Sequence, residues 1–159
     1  MRILLIEDDK DTAQTIKEEL KNYFVIEVVH TGEEGEYHAQ INEYDVIIID
    51  YMLPGINGVE VCTKIRAANN CVPILMLTGT NAIPNIVGAF EAGVDDYLLK
   101  PFNFDELIAR VRALMRRPQN FINTCMLQVD DLVFDVNKKG NLCSVIEDSS
   151  IGTVVTNEI

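Results

Sequence analysis

Tryptophan is absent from the 159 residues, and basic side chains are scarce: 13 Lys and Arg stand against 25 Asp and Glu, for a formal net charge of −12. So acidic a chain repels phosphate backbones, which argues against electrostatic nucleic acid binding over the chain as a whole. From Pro118 onward only Lys138 and Lys139 are basic, against Asp130, Asp131, Asp135, Glu147, Asp148 and Glu158, so neither part of the chain offers a basic stripe. Long apolar runs are missing as well. None approaches the roughly 20 residues needed to cross a bilayer, and Met1-Arg2 leads straight into a short strand-like run instead of a signal-type region. A cytoplasmic protein is expected. Cysteine is sparse and scattered: Cys62, Cys71, Cys125 and Cys143 form no C-x-x-C pair and have no histidine at ligand spacing. They read as free, mostly packed thiols of a reducing compartment.

What is present is a set of short, densely apolar runs that end in polar residues. Val46-Ile47-Ile48-Ile49 runs directly into Asp50, and Pro54-Gly55 turns the chain shortly afterwards. A branched apolar run without polar alternation is what a strand covered on both faces looks like. Arg2-Ile3-Leu4-Leu5-Ile6 ends in Glu7-Asp8-Asp9, Val25 to Val29 gives another strand, Val72 to Leu77 ends in Thr78, and Asp96-Tyr97-Leu98-Leu99 ends in Lys100-Pro101. Between them lie segments of helical periodicity. The first carries Ala13, Ile16 and Leu20, capped by Asp11 or Thr12, and the second is weakly amphipathic through Tyr37, Ala39 and Ile41. The third offers Val59, Val61, Cys62 and Ile65 after Asn57-Gly58. The fourth offers Ile86, Val87, Ala89 and Phe90, with Pro84 in its first turn and Gly93 at its end. The last carries Leu107, Ile108, Val111, Leu114 and Met115 behind Asn103, with Glu106 three residues on. Five strands alternating with five helices predict an α/β fold with a parallel sheet. Pro118-Gln119-Asn120 breaks the pattern as a linker over 118–125. Beyond it, 126–159 has few large apolar side chains: Met126 to Val136 alternates loosely, Asn137 to Asn141 is a hairpin-turn candidate, and Leu142 to Ile146 is a return strand. A strand pair or disorder is expected there.

The chemistry lies at the strand ends. In a flavodoxin-like, doubly wound sheet of order 2-1-3-4-5, the first and third strands are neighbours, and their carboxyl ends meet at the topological switch point. Glu7, Asp8 and Asp50 would repel one another there unless a divalent cation sat among them. Hard oxygen ligands with open positions suit Mg²⁺, which takes one or two carboxylates together with a phosphate. Thr78 and Lys100 would then supply a hydroxyl and an ammonium to phosphoryl oxygens.

Leu4 to Asp9, the run to Asp50 followed by Met52-Leu53-Pro54-Gly55, Thr78-Gly79, and Asp95-Asp96-Tyr97-Leu98-Leu99-Lys100-Pro101-Phe102 together resemble the receiver domain of two-component response regulators. The resemblance covers residues 1–117. It implies a phosphoacceptor switch: Asp50 takes a phosphoryl group from a histidine kinase or phosphotransfer protein, and Mg²⁺ is held by Glu7, Asp8, Asp50 and the Met52 carbonyl. It also implies that Thr78 and Lys100 bind the phosphoryl oxygens, that Tyr97 turns inward when Thr78 moves, and that the Lys100-Pro101 peptide is cis. Asp95-Asp96-Tyr97, Glu106, Arg110, Arg112 and Arg116-Arg117 look like the subfamily named for OmpR and PhoB. In that subfamily the face of the fourth helix, fifth strand and fifth helix forms a homodimer to control transcription. Val87, Phe90 and Ile108 would be its apolar patch here, with Asp96, Glu106, Arg110 and Arg117 as its ion-pairing groups. Ile86 stands where the subfamily usually has a basic partner for Glu106. Leu127 to Asp135 resembles the first strand of the subfamily's DNA-binding effector, of which only the opening is recognisable, so no DNA binding is expected of this chain itself. Two other readings compete. One is a receiver-like interaction module that is not phosphorylated. The other is an aspartyl-nucleophile phosphatase, which would need a second acid where Met52 stands.

Overall fold

The computed structural model describes residues 1–79 and 83–116, with backbone only for 83–86, and the backbone of 127–129 and 132–134. In chain order the first unit, Met1–Gln119, runs β1 (Arg2–Ile6), α1 (Lys10–Leu20), β2 (Val25–Val29), α2 (Gly32–Ile41), β3 (Val46–Asp50), α3 (Gly58–Ala67), β4 (Ile74–Thr78), α4 (Ile83–Glu91), β5 (Asp96–Leu99) and α5 (Phe104–Met115). The five strands form one parallel sheet in the order β2-β1-β3-β4-β5, as expected.

Two apolar layers sandwich that sheet, and this is why its central strands carry no polar alternation. Ile3, Leu5, Val46, Ile48, Leu75 and Leu77 face α1 and α5, meeting Ile16, Leu20, Leu107, Val111 and Leu114. Leu4, Ile6, Ile47, Ile49, Ile74 and Met76 face the other layer, meeting Ala39, Val61, Cys62, Ile65 and Ala89. Each such side chain, fully withdrawn from water, contributes roughly 1.5–3 kcal/mol relative to exposure. β2 lies at an edge, and Val25 is accordingly exposed.

Local expectations fail in four places. The cap of α1 is Asp9, whose side chain accepts the Thr12 N–H at 2.6 Å, and not Asp11 or Thr12. The third acid after β1 is therefore committed to the helix start. α2 does not pack through Tyr37 and Ile41, which are exposed, but through Gly32, Gly35 and Ala39. The helix lies so close to β1 that a Cβ at Gly35 would come within 2.3 Å of Ile6 Cδ1, leaving no room for large side chains. Asn103 caps α5 by accepting the Asp105 N–H, while Glu106 turns to Arg110 instead of closing a capping box. The capping box is at α3, where Asn57 and Glu60 exchange bonds. In the second unit, Asn120–Ile159, the strand expected over Leu127 to Asp135 is two: Leu127–Val129 pairs antiparallel with Leu132–Phe134. The hairpin expected at Asn137 to Asn141 and its return strand lie outside the described residues.

Candidate functional site

Register assembles the site. Ile6 pairs with Ile49, Asp50 with Leu77, and Thr78 with Leu99, so Glu7, Asp50, Thr78 and Lys100 come level at one edge of the sheet, each within a residue of its strand's end. Backbone bonds carry the ladder into the loops: the Glu7 N–H donates to Val29, that of Tyr51 to Leu77 and that of Lys100 to Thr78. The Lys100-Pro101 peptide is cis. Gly58 opens α3 directly beneath the site, where a Cβ would meet the Asp50 carbonyl oxygen at 2.4 Å, so only glycine lets α3 approach so closely.

One carboxylate oxygen from each of Glu7, Asp8 and Asp50 lies within 4.8 Å of the others. Glu7 and Asp50 are buried while Asp8 is exposed, so the cluster opens to solvent on one side. Lys100 Nζ bridges the two buried acids, 2.7 Å from Glu7 Oε2 and 2.7 Å from Asp50 Oδ1. The second Asp50 oxygen accepts the Met52 N–H at 3.2 Å. Burial pushes the Glu7 carboxyl above its usual range; the Lys100 hydrogen bond opposes this, and the charges of Asp50 and Asp8 add to it. Burial works against the Lys100 ammonium, but its bonds to Asp50 and Glu7 outweigh that and hold its pKa above the ordinary lysine value. An excess of acid around one ammonium is an arrangement that attracts a further cation.

Thr78 is buried at the end of β4. Tyr97 is half-buried on the α2-α3-α4 side of the sheet, and its ring meets Phe90 of α4 edge-on, centroids 5.9 Å apart. The residues expected to form a dimer face divide. Val87 and Phe90 are exposed, Ile108 is half-buried against the α5 layer, and Asp96 and Glu106 both pair with Arg110 within the chain, at 2.9 and 2.8 Å. Arg117 and the Ile86 side chain lie outside the described residues. His30 was not anticipated. It follows β2, which neighbours β1, and its Nδ1 lies 2.8 Å from the Glu7 carbonyl oxygen, a placement that strand order alone makes visible. Of the thiols, Cys62 is buried, and burial pushes it up to about 11, while Cys71 is exposed; neither is in a disulfide. Cys125 and Cys143 lie outside the described residues. No helix among them is long and apolar enough to cross a membrane.

Residues 3–112 match the family described as the response regulator receiver domain. The chain is 42% identical over 137 residues to the transcriptional regulatory protein CusR of Escherichia coli (strain K12), a match covering 86% of this chain and 60% of CusR, so it spans about 60% of that relative's length. Among solved structures, the receiver domain of the Francisella response regulator 1452 superposes with a TM-score of 0.70 at 36% identity, covering 73% of this chain and 97% of that one. The receiver domain of sensor histidine kinase PA1611 from Pseudomonas aeruginosa PAO1, with a magnesium ion coordinated in its active site cleft, gives 0.67 at 31% identity, covering 72% of this chain and 96% of that one. With sheet order, strand-end residues and family match in agreement, the chain belongs to the response regulator receiver domain family of two-component signalling.

Proposed function

We propose that Asp50 accepts a phosphoryl group from a phosphorylated histidine of a sensor kinase or phosphotransfer protein, and that Glu7, Asp8, Asp50 and the Met52 carbonyl hold Mg²⁺ for the transfer. The observation that carries this reading is the placement of one buried carboxylate, Asp50, against an ammonium at 2.7 Å and two further acids at the same sheet edge. The donor set fits the ion: three carboxylates from adjacent strand ends, all hard oxygens, one of them open to solvent. Bound there, Mg²⁺ would neutralise charge between the acids and the incoming phosphoryl oxygens.

An Asp50 oxygen attacks phosphorus, the phosphorus–nitrogen bond breaks, and its electron pair leaves with the imidazole, which takes a proton from solvent. Lys100 turns its ammonium from the carboxylates to a phosphoryl oxygen, and the Thr78 hydroxyl donates to another. A cleft lined by Thr12, Thr15, Ile16, Lys100, Phe102 and Phe104 opens beside the site and leaves room for the donor's approach. The thioether of Met52, two residues beyond Asp50, offers neither acid nor base. That favours a switch with slow self-dephosphorylation over a phosphatase.

Phosphorylation adds about two negative charges at the sheet edge. Thr78 is drawn towards them, Tyr97 follows into the space it leaves, and the face of α4, β5 and α5 changes. Val87 and Phe90, exposed on that face, would meet their counterparts in a homodimer, with Asp96, Glu106, Arg110 and Arg117 exchanging ion pairs across it. Such a switch would act in the cytoplasm, and in a longer protein of the CusR kind it would control transcription. The test is intact mass after acetyl phosphate and Mg²⁺. The expected result is one phosphate on the wild type and none on Asp50→Ala; a wild type of unchanged mass, or equal gain by both, refutes the assignment.

A further inference from the structure

The opposite edge of the sheet carries a second polar hub. Arg66, in the last turn of α3, makes four hydrogen bonds, two to the loop that follows α3 and two to the stretch between α4 and β5. Nε donates to the Gly93 carbonyl at 3.1 Å, Nη1 to those of Asn70 and Val72 at 2.7 and 2.9 Å, and Nη2 to Asp95 Oδ2 at 2.9 Å. The Asp95 side chain is almost wholly buried, and the same oxygen accepts the Ile74 N–H that begins β4. One turn earlier on α3, Cys62 Sγ donates to the Ala92 carbonyl at 3.2 Å. Two α3 side chains thus hold consecutive carbonyls of the turn that follows α4. That turn is closely packed: Gly93 has φ +96°, and a Cβ there would lie 2.9 Å from Arg66 Cγ.

Topology gives the hub its meaning. α4 begins at Ile83, five residues after Thr78 at the site edge, and ends at Glu91, five residues before Asp96, which pairs with Leu75 near the start of β4. The helix therefore runs from the site to the hub, a lever of about 13 Å at the usual rise per residue. Removing a partner from a buried, charge-assisted cluster is expensive, so the least costly movement of α4 leaves its far end where it is.

We propose that Arg66 is a positioning residue of the switch: it anchors the C-terminal end of α4 and the start of β5 to α3, so that occupancy of Asp50 swings the site end of α4 about a fixed pivot. This rests on the reading of Asp50 as phosphoacceptor. Lysine in place of Arg66 keeps the charge but cannot reach four acceptors in a plane.

The test is amide hydrogen exchange on the full chain with and without beryllofluoride and Mg²⁺, for the wild type, Arg66→Lys and Asp95→Asn. In the wild type, activation should change exchange over 83–88 by about tenfold or more and leave 92–95 within about twofold; in Arg66→Lys the activation-dependent change should spread to 92–95. A merely structural role would lower protection equally in both states and leave that difference untouched. A wild type in which 92–95 responds as strongly as 83–88 overturns the anchor, as do variants that keep the wild-type pattern. If Arg66→Lys fails to fold, the milder Asp95→Asn decides. The same samples are weighed after acetyl phosphate and Mg²⁺. A wild type that gains no phosphate removes the phosphoacceptor reading and this inference with it, whereas phosphate gain with uniform change along α4 removes the anchor alone.

Discussion

Replacing Lys100 with methionine tests the electrostatics of the site directly, because it keeps most of the side-chain volume and removes only the ammonium. The group lies 2.7 Å from both Glu7 and Asp50. At that separation each unit-charge pair is worth about 6 kcal/mol of gross attraction at an effective dielectric of about 20. Desolvation cancels most of this, and removing one partner of a buried pair typically costs 3–5 kcal/mol. The Lys100 side chain is 27% exposed, and solvent screening puts the expected loss below that range, at about 2–3 kcal/mol. For a domain of this size that lowers Tm by about 10 °C. Urea and thermal unfolding measure it, with chelator present throughout because a divalent cation would stand in for the ammonium.

The pH dependence of that loss carries a sign. Burial, Asp50 and Asp8 all raise Glu7, and the Lys100 hydrogen bond opposes them. Without the lysine the folded-state pKa of Glu7 rises further above its unfolded value of 4.5. A group raised on folding contributes stability below its unfolded pKa and loses that contribution as pH rises through the folded one. The gap between variant and wild type should therefore be widest at pH 7.5 and narrow towards pH 5. Adding Asp50→Asn to Lys100→Met should recover part of the loss, since one of the stranded carboxylates is gone. A variant as stable as wild type at pH 7.5 in chelator, or a gap that widens on acidification, would refute the reasoning.

Close packing at two glycines and an ion-pair cluster on β2 give three further outcomes. Gly58→Ala drives a Cβ to within 2.4 Å of the Asp50 carbonyl oxygen, a backbone atom that cannot rotate away; a loss of about 2–3 kcal/mol is expected in chemical denaturation, together with slower phosphorylation by acetyl phosphate. Gly35→Ala meets the movable end of Ile6 instead, so a loss of about 1–2 kcal/mol should shrink when Ile6→Val removes the clashing methyl, and a non-additive double-mutant cycle would show it. Glu27 accepts hydrogen bonds from Tyr44 and His38 and pairs with Arg2, and the Tyr44 bond in the first place holds its carboxyl below the usual range. A group lowered on folding stabilises above its unfolded pKa and loses that stabilisation as pH falls through the folded one, so Glu27→Gln should cost about 1 kcal/mol at pH 7. That deficit should fade as the pH is taken below 4.5; a constant deficit across a pH series of unfolding curves would count against the assignment.

The sequence showed β1, β3 and β4 plainly because the sheet is covered on both faces, so each strand is an uninterrupted apolar run whose polar terminus stands out. The acids, the hydroxyl and the lysine were visible for the same reason. What stayed hidden depends on contacts between elements. Glu7-Asp8-Asp9 looks like one acidic mouth, yet Asp9 belongs to the helix that follows, a division only three-dimensional geometry decides. Tyr37 and Ile41 are the large apolar residues of α2, yet two glycines and an alanine touch the sheet because the helix lies too close for more. Arg66 has no motif, since three of its four partners are backbone carbonyls, to which any residue type contributes equally.

Strand alternation divides the labour of the site between the two faces of the sheet. Side chains two apart point the same way, so Glu7 falls on the side of Ile3 and Leu5, Asp50 on that of Val46 and Ile48, and Lys100 on that of Leu98, all facing α1 and α5. Thr78 falls with Ile74 and Met76, and Tyr97 lies on that same side, facing α2, α3 and α4. The groups that gather charge thus sit on one face, while the hydroxyl, the aromatic ring and the Arg66 hub sit on the other. Thr78 ends β4, the strand next to β3, which ends in Asp50. A one-residue slip of β4 would move that hydroxyl to the charged side. The fully buried alternation of Ile74, Leu75, Met76 and Leu77, both of whose faces must match a different layer, forbids the slip. Core packing, more than any residue at the site itself, therefore fixes which face carries the hydroxyl and which carries the charges.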